Sequence, residues 1–450
     1  MKTVSAILLL FFTIPMMGQQ PFNRDSIVKS IESQISLPKI PNYRVSVTNF
    51  GAKGDGTTDC KVAFDKAMRA CAKKNGGTIV VPKGNYLING PIHFVSRTAL
   101  HLEDGAKLIF GTNPKDYPLV LTSWEGTSLY NYSPMIYGID VEDVAITGTG
   151  TIDGEGHSEW SSWKALENKG KQLSRDMNHR QLPVAERRFG EGHYLRPQLI
   201  QFVNSKNILI EDVTIEDAPF WCVHLLKSER ITLRGLKYNA HNKNNDGIDI
   251  EQSKYVLIED IDFDNADDNI AIKAGRDHDG RASSHQPSQH ILIRNNRFKG
   301  LHAIVIGSEM SAGVQKVYAY DNRASGYLKR GIYLKTNSDR GGYIRDVSIT
   351  DTQFGDVEDA IYVTANYHGE GSGDFPSKIS NIYISNVSFG NVSNTAIVLE
   401  GYATQKVENV NLDRLTINKA KNGMTLTNTK NVVFNEVIIG EKQSVPSAAN

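Results

Sequence analysis

Six apolar-x-apolar triplets share one register along the middle of the chain: Val223-His-Leu225, Ile248-Asp-Ile250, Ile270-Ala-Ile272, Ile304-Val-Ile306, Ile332-Tyr-Leu334 and Ile361-Tyr-Val363. Their starts are 25, 22, 34, 28 and 29 residues apart. Period-two alternation reads as a strand with one buried face. A strand that returns at such intervals to lie parallel to its predecessor closes one coil of a solenoid, with rungs about 4.7–4.9 Å apart. A β-sandwich would also give many short strands, but not this common register. The expectation is an all-β, single-stranded parallel β-solenoid.

A coil hides its side edges and leaves open ends that need caps. The only clear amphipathic helix, in DCKVAFDKAMRACAKKNGG, precedes the ladder and suits an N-terminal cap, with Asp59 as its N-cap and Gly76-Gly77 as its stop. Beyond Leu100 helical periodicity is almost absent. The polar stretch from Gly154 to Arg196, with Trp160 and Trp163, is long for a loop and is a candidate groove wall.

Residues 1–18 have a basic start, a short apolar run and a polar end, the pattern of a secretory signal peptide; 19–42 form an N-terminal extension and 43–450 one solenoid domain. A secreted or periplasmic protein without a membrane span is expected, and a monomer. Fifty acidic and 50 basic residues cancel, which gives no support to a nucleic-acid or polybasic membrane-surface binder. Cys60 and Cys71 lie too far apart on one helix to be bridged, and the three cysteines fit no zinc spacing.

Two residues before each triplet the ladder reads Trp221, Asp246, Asp268, His302, Arg330 and Asp359. Stacking therefore brings Asp246 over Asp268, with Asp267 adjacent and His302 on the next rung. Most other Asp and Asn residues, Asp351 and Asp356 among them, serve turns. Three residues past the start of each triplet, Lys273 and Lys335 flank the acids, with Arg276, Arg330 and Arg340 nearby. Positive charge around a groove on a neutral protein suits an anionic substrate such as a sugar acid, and Trp221 could stack on a sugar ring. The acids could cleave a glycosidic bond as acid and base, hold Ca²⁺ in a lyase or structural site, or line a groove that binds polysaccharide without chemistry.

Ala218-Pro-Phe-Trp-Cys-Val-His224, Asn244-Asn-Asp246-Gly-Ile-Asp, Ala266-Asp267-Asp268-Asn-Ile-Ala-Ile-Lys273, His302-Ala-Ile-Val-Ile-Gly-Ser-Glu309-Met and Arg330-Gly-Ile-Tyr-Leu-Lys335-Thr together resemble the polygalacturonases, glycoside hydrolase family 28. The resemblance implies a right-handed parallel β-helix that hydrolyses α-linked galacturonate of pectin or oligogalacturonides with inversion, without metal or other cofactor. It implies Asp267 as general acid, Asp246 and Asp268 as the pair that holds and deprotonates water, His302 in support of the acid, and Lys335 on a substrate carboxylate. Lys273, Arg330, Tyr333, Trp221 and His224 complete the candidate substrate-binding set. The phrases around Gly275-Arg-Asp-His-Asp-Gly-Arg281 and Ile306-Gly-Ser-Glu-Met310 are most similar to bacterial exo-acting members. The family's Arg-Ile-Lys is Tyr333-Leu334-Lys335 here, so its Arg is missing and Arg330 is the candidate substitute; Asn-Thr-Asp, Gly-Asp-Asp and Gly-His-Gly become Asn244-Asn245-Asp246, Ala266-Asp267-Asp268 and Leu301-His302-Ala303. Rhamnogalacturonan or another pectic glycan is therefore an alternative substrate.

Overall fold

A computed structural model describes residues 24–369, 373–440, 443–444 and 448–449. The expected signal peptide lies outside them. Each triplet pairs in parallel with the next in the register read above: Val223 with Ile248, Ile248 with Ile270, Ile270 with Ile304, Ile304 with Ile332 and Ile332 with Ile361. The same ladder continues through Ile200, Ile136 and Ile92 on one side and Ile397 and Met424 on the other. A second ladder runs beside it through Val144, Ile208, Ile231, Val256, Ile291, Val317, Val347 and Ile382. A third, shorter one stacks Tyr86, Leu108, Ile152, Ile215 and Tyr238. Their inward side chains form one continuous buried core, the arrangement of a right-handed parallel β-helix. Burying each Ile or Leu of these stacks contributes about 1.5–3 kcal/mol relative to leaving it exposed.

Both ends are covered. The helix Lys61–Lys73 buries Ala63, Phe64, Ala67, Met68 and Cys71 against the first coil. Its cap residue is Cys60 rather than Asp59, whose carboxylate still accepts the Lys61 N–H at 2.9 Å. At the other end the short strands Gln443–Ser444 and Ala448–Ala449 pair antiparallel with Thr429–Ile439, which ends the parallel stack.

The described part of the extension is tied to the solenoid wall. Helix Arg24–Glu32 lays Val28 and Ile31 on Leu257, Leu292 and Tyr320, outward-facing residues of the second ladder. Arg24 pairs with Asp351 at 2.5 Å and Glu32 with Arg294 at 2.7 Å. Further on, Ile40 covers Ala99, Ala145 and Leu209. Apolar side chains on the solvent face of a strand thus have a partner supplied by the chain's own N-terminal segment. Among the described residues no helix is long and apolar enough to cross a membrane.

Three insertions rise beside the first ladder: the hairpin Leu119–Trp124/Thr127–Tyr132, the helices Glu159–Trp163 and Asn168–His179, and the short helix Asp277–Ala282. The stretch from 154 to 196 is therefore partly helical, which its sequence did not indicate. The physical reason lies in Asn168–His179, whose buried stripe is Gly170, Ser174 and Asn178. Small and polar residues at that spacing leave no hydrophobic periodicity to detect.

Candidate active site

The strands Ile248–Glu251, Asn265–Lys273, Gly300–Ile306 and Leu328–Lys335 supply the site from successive rungs. Gly247 allows a close approach: a Cβ there would lie 2.5 Å from the Asn269 carbonyl oxygen, while its N–H donates to the Asp268 carbonyl at 2.8 Å. Asp246 is thereby held over Asp268. Asn265 pins the next turn, its amide donating to the Asn245 and Asp268 carbonyls at 2.8 and 3.2 Å.

Asp268 is clamped, with Oδ1 2.6 Å from His302 Nδ1 and Oδ2 accepting from Lys335 Nζ at 3.1 Å. Burial would raise its pKa, but Lys335 and His302 outweigh it and hold the carboxyl well below the usual range. Asp267 has the opposite balance, since burial and then the ionised Asp268 beside it push its carboxyl up. Asp246 is pushed well above the ordinary range by burial, then by Asp249, Asp267 and Asp268, against the pull of Lys273. The cluster therefore holds one firmly ionised acid beside two that favour their protons.

Lys273 Nζ lies 3.3 Å from Glu309, 3.5 Å from Asp249 and 3.9 Å from Asp246, and 4.6 Å above the Trp221 ring. The Trp221 indole stacks on Phe220, which stacks on Trp124. Asp246, Asp267, Asp268, Lys273, Lys335 and Trp221 all line one cleft of about 150 Å³. His302 stands behind Asp268, its Nε2 buried with no hydrogen-bond partner among the described residues.

Three candidates are placed elsewhere. His224 is fully buried, its ring nitrogens taken by Gln201 at 2.7 Å and Glu251 at 2.9 Å, and it does not line the cleft. Arg330 lies between the Tyr333 and Tyr362 rings, 4.4 and 4.3 Å from their centroids, with its Nε 3.4 Å from Asp359. Tyr333 is 5% exposed and supports Lys335 and His302 from beneath. The cleft's remaining walls come from residues without a ladder position: Glu125 from the hairpin tip, Lys171 and Arg175 from the helix Asn168–His179, and Tyr367 and His368 from a later loop. Arg276 and Glu309 complete it, paired at 2.7 Å; Arg276 had been singled out by its charge, and Glu309 stands in a motif already quoted.

Arg196 joins wall to floor. Fully buried, it pairs with Glu167 at 3.0 Å and donates to the carbonyls of Pro219 and Lys243 at 2.9 and 2.8 Å and to Asn244 Oδ1 at 2.8 Å. It thus connects the helical insertion to the turn that carries Asp246. Buried Arg seldom shows in sequence, because nothing in its spacing separates it from a surface Arg.

Residues 71–437 match the family described as glycosyl hydrolases family 28. A probable polygalacturonase of Vitis vinifera is 29% identical over 395 residues, covering 84% of this chain and 75% of that protein. The exo-poly-alpha-D-galacturonosidase of Dickeya chrysanthemi is 27% identical over 406 residues, covering 83% and 66%. Among solved structures, the hyperthermoactive exopolygalacturonase of Thermotoga maritima is similar with a TM-score of 0.88 and 36% identity, over 92% of this chain and 96% of that one. With the family pattern running through the stacked acids, this chain belongs to glycosyl hydrolases family 28 and is a glycoside hydrolase of the polygalacturonase family.

Proposed function

We propose that this enzyme is a secreted or periplasmic exo-acting hydrolase that releases galacturonate units from pectic chains by an inverting mechanism. The observation that carries the chemistry is the clamp of His302 and Lys335 on Asp268, at 2.6 and 3.1 Å, beside an Asp267 that neither of them holds by a hydrogen bond among the described residues. Asp267, pushed up by burial and by its neighbour, keeps a proton to deliver to the leaving oxygen. Asp246 and Asp268 hold the attacking water. Of the two, Asp268 is the one held ionised, by Lys335 and His302, and so is the acceptor available for the water proton, while Asp246, which burial and its acidic neighbours favour in the protonated form, helps to hold the water. Lys335, buried in the cleft floor against Asp268, meets a sugar carboxylate. Exo action is supported by the insertions that bring Glu125, Lys171 and Arg175 to the cleft and wall it.

A Ca²⁺-dependent lyase is the rival chemistry. Asp267, Asp268 and His302 do bring ligand atoms within 4.8 Å of one another. Calcium prefers six or more oxygen ligands, whereas both Asp268 oxygens are engaged by His302 and the Lys335 ammonium. The test is to digest oligogalacturonides with chelator present. Saturated monogalacturonate and new reducing ends are expected, and ultraviolet-absorbing products or a requirement for Ca²⁺ would overturn the hydrolase reading. The Tyr333 ring in place of the family's Arg favours a second reading, a pectic glycan such as rhamnogalacturonan, and the same digestion on a panel of pectic oligosaccharides separates the two.

The pH dependence has a definite sign. Activity that needs protonated Asp267 is present below its raised pKa and lost as pH climbs through it. An Asp268 held below its usual range contributes stability that is complete above the unfolded value, about 3.9, and lost as pH falls towards the folded one. A kcat/KM profile whose alkaline limb lies above the pH of ordinary carboxyl titration is expected.

A further inference from the structure

The cleft wall contains a carboxylate held as a ligand would be. Glu125 and Gly126 form the tip of the hairpin, both in the left-handed region with φ of 45° and 81°. The Glu125 carboxylate meets Lys171 Nζ at 2.9 Å, Arg175 Nη2 at 3.3 Å and Arg276 Nη2 at 3.6 Å. Lys171 and Arg175, four apart, share one face of the helix Asn168–His179. Arg276 arrives separately, just past the strand that carries Asp267 and Asp268. Three cations from two elements thus converge on one acid from a third. The cradle is two ion-pair contacts from the chemistry, since Arg276 meets Glu309 and Glu309 meets Lys273, the neighbour of Asp246.

We propose that Lys171, Arg175 and Arg276 form a subsite for the free carboxylate of a uronate residue next to the one being cleaved, and that Glu125 holds its place in the empty enzyme. This rests on the uronate-hydrolase reading above. Exchange of one carboxylate for another leaves the buried Arg276 and the half-buried Lys171 and Arg175 paired throughout, so entry of the sugar does not strand them without a counter-charge. The tip backbone is pinned, the Gly126 and Glu125 carbonyls accepting from the Arg276 N–H and Nε at 2.8 Å each, so the exchange is a rotation of the Glu125 side chain alone. A methyl-esterified residue has no charge to offer and does not displace Glu125, so the subsite selects for de-esterified chain.

The test is calorimetric titration of trigalacturonate into the catalytically silent Asp267→Asn enzyme, alone and combined with Lys171→Ala, Arg175→Ala or Glu125→Gln, with a thermal melt of each to establish folding. Lys171→Ala and Arg175→Ala should each weaken binding about tenfold, the worth of one charge-assisted hydrogen bond. Glu125→Gln, which removes the competitor, should leave binding as tight or tighten it severalfold. Affinities within twofold of the parent in both cation variants, or a Glu125→Gln loss as large as theirs, overturn the subsite alone. No binding of trigalacturonate by the parent overturns it together with the uronate reading.

Discussion

Asp267→Asn should cut turnover of oligogalacturonide by roughly 10²–10⁴-fold, the usual contribution of a general acid, while the enzyme still folds and binds sugar. The amide keeps the shape of the protonated acid, which is the form that burial and Asp268 already favour. Its substitution therefore removes proton delivery without exposing or unpairing a neighbour, and the Asp268 clamp to His302 and Lys335 stays intact. Reducing-sugar release measured beside a thermal melt separates the two properties. Turnover within tenfold of the parent would mean that another group protonates the leaving oxygen. Asp268→Asn is a poorer probe, because it strips the negative partner from a buried Lys335 and confounds chemistry with stability.

The second large effect concerns stability. Arg196→Ala should cost about 3–5 kcal/mol, the range for breaking a buried ion pair from one side. The loss leaves Glu167, with a side chain 1% exposed, dependent on Lys164 alone, and strands the Pro219 and Lys243 carbonyls and the Asn244 side chain. Arg196→Lys should recover only part of it, since one ammonium cannot span acceptors on both sides of a planar guanidinium. A denaturant midpoint gives the energy, and a KM that rises with little change in kcat would show the wall loosening over an intact floor. A midpoint unchanged by the Ala substitution would refute the buried-pin role.

What could be read in the sequence followed from period. The strand triplets repeat because each inward Ile or Val must stack on the one below, and this vertical constraint made the pairing of Asp268 with His302 and His302 with Arg330 computable by subtraction. Asp246, Asp267 and Asp268 were legible for the same reason. The wall was not. Lys171, Arg175 and Glu125 sit on insertions whose positions are set by tertiary contacts, and the helix that carries two of them buries glycine, serine and asparagine in place of an apolar stripe. His224 was misplaced by a related limit. Alternation says that a side chain leaves the core, but not what then covers it, and here Gln201 and Glu251 of the neighbouring rungs enclose it under Thr122 and Ser123 of the hairpin. Arg330 and Tyr333 show the same: the column was right, yet the guanidinium turns to Asp359 between two rings.

The N-terminal helix lying along the outer wall has a consequence for biogenesis. Arg24 finds Asp351 across 327 positions of sequence, whereas coil-to-coil contacts join near neighbours. During synthesis this helix, made before the coils it packs on, must wait for them to emerge before it can dock. Until then Leu257, Leu292 and Tyr320 stay bare, an adhesive stripe open to other nascent chains. Docking is thus a late clasp that closes only once the coils through Asp351 have formed, and a chain trimmed of it should collect as aggregate before it loses catalytic competence.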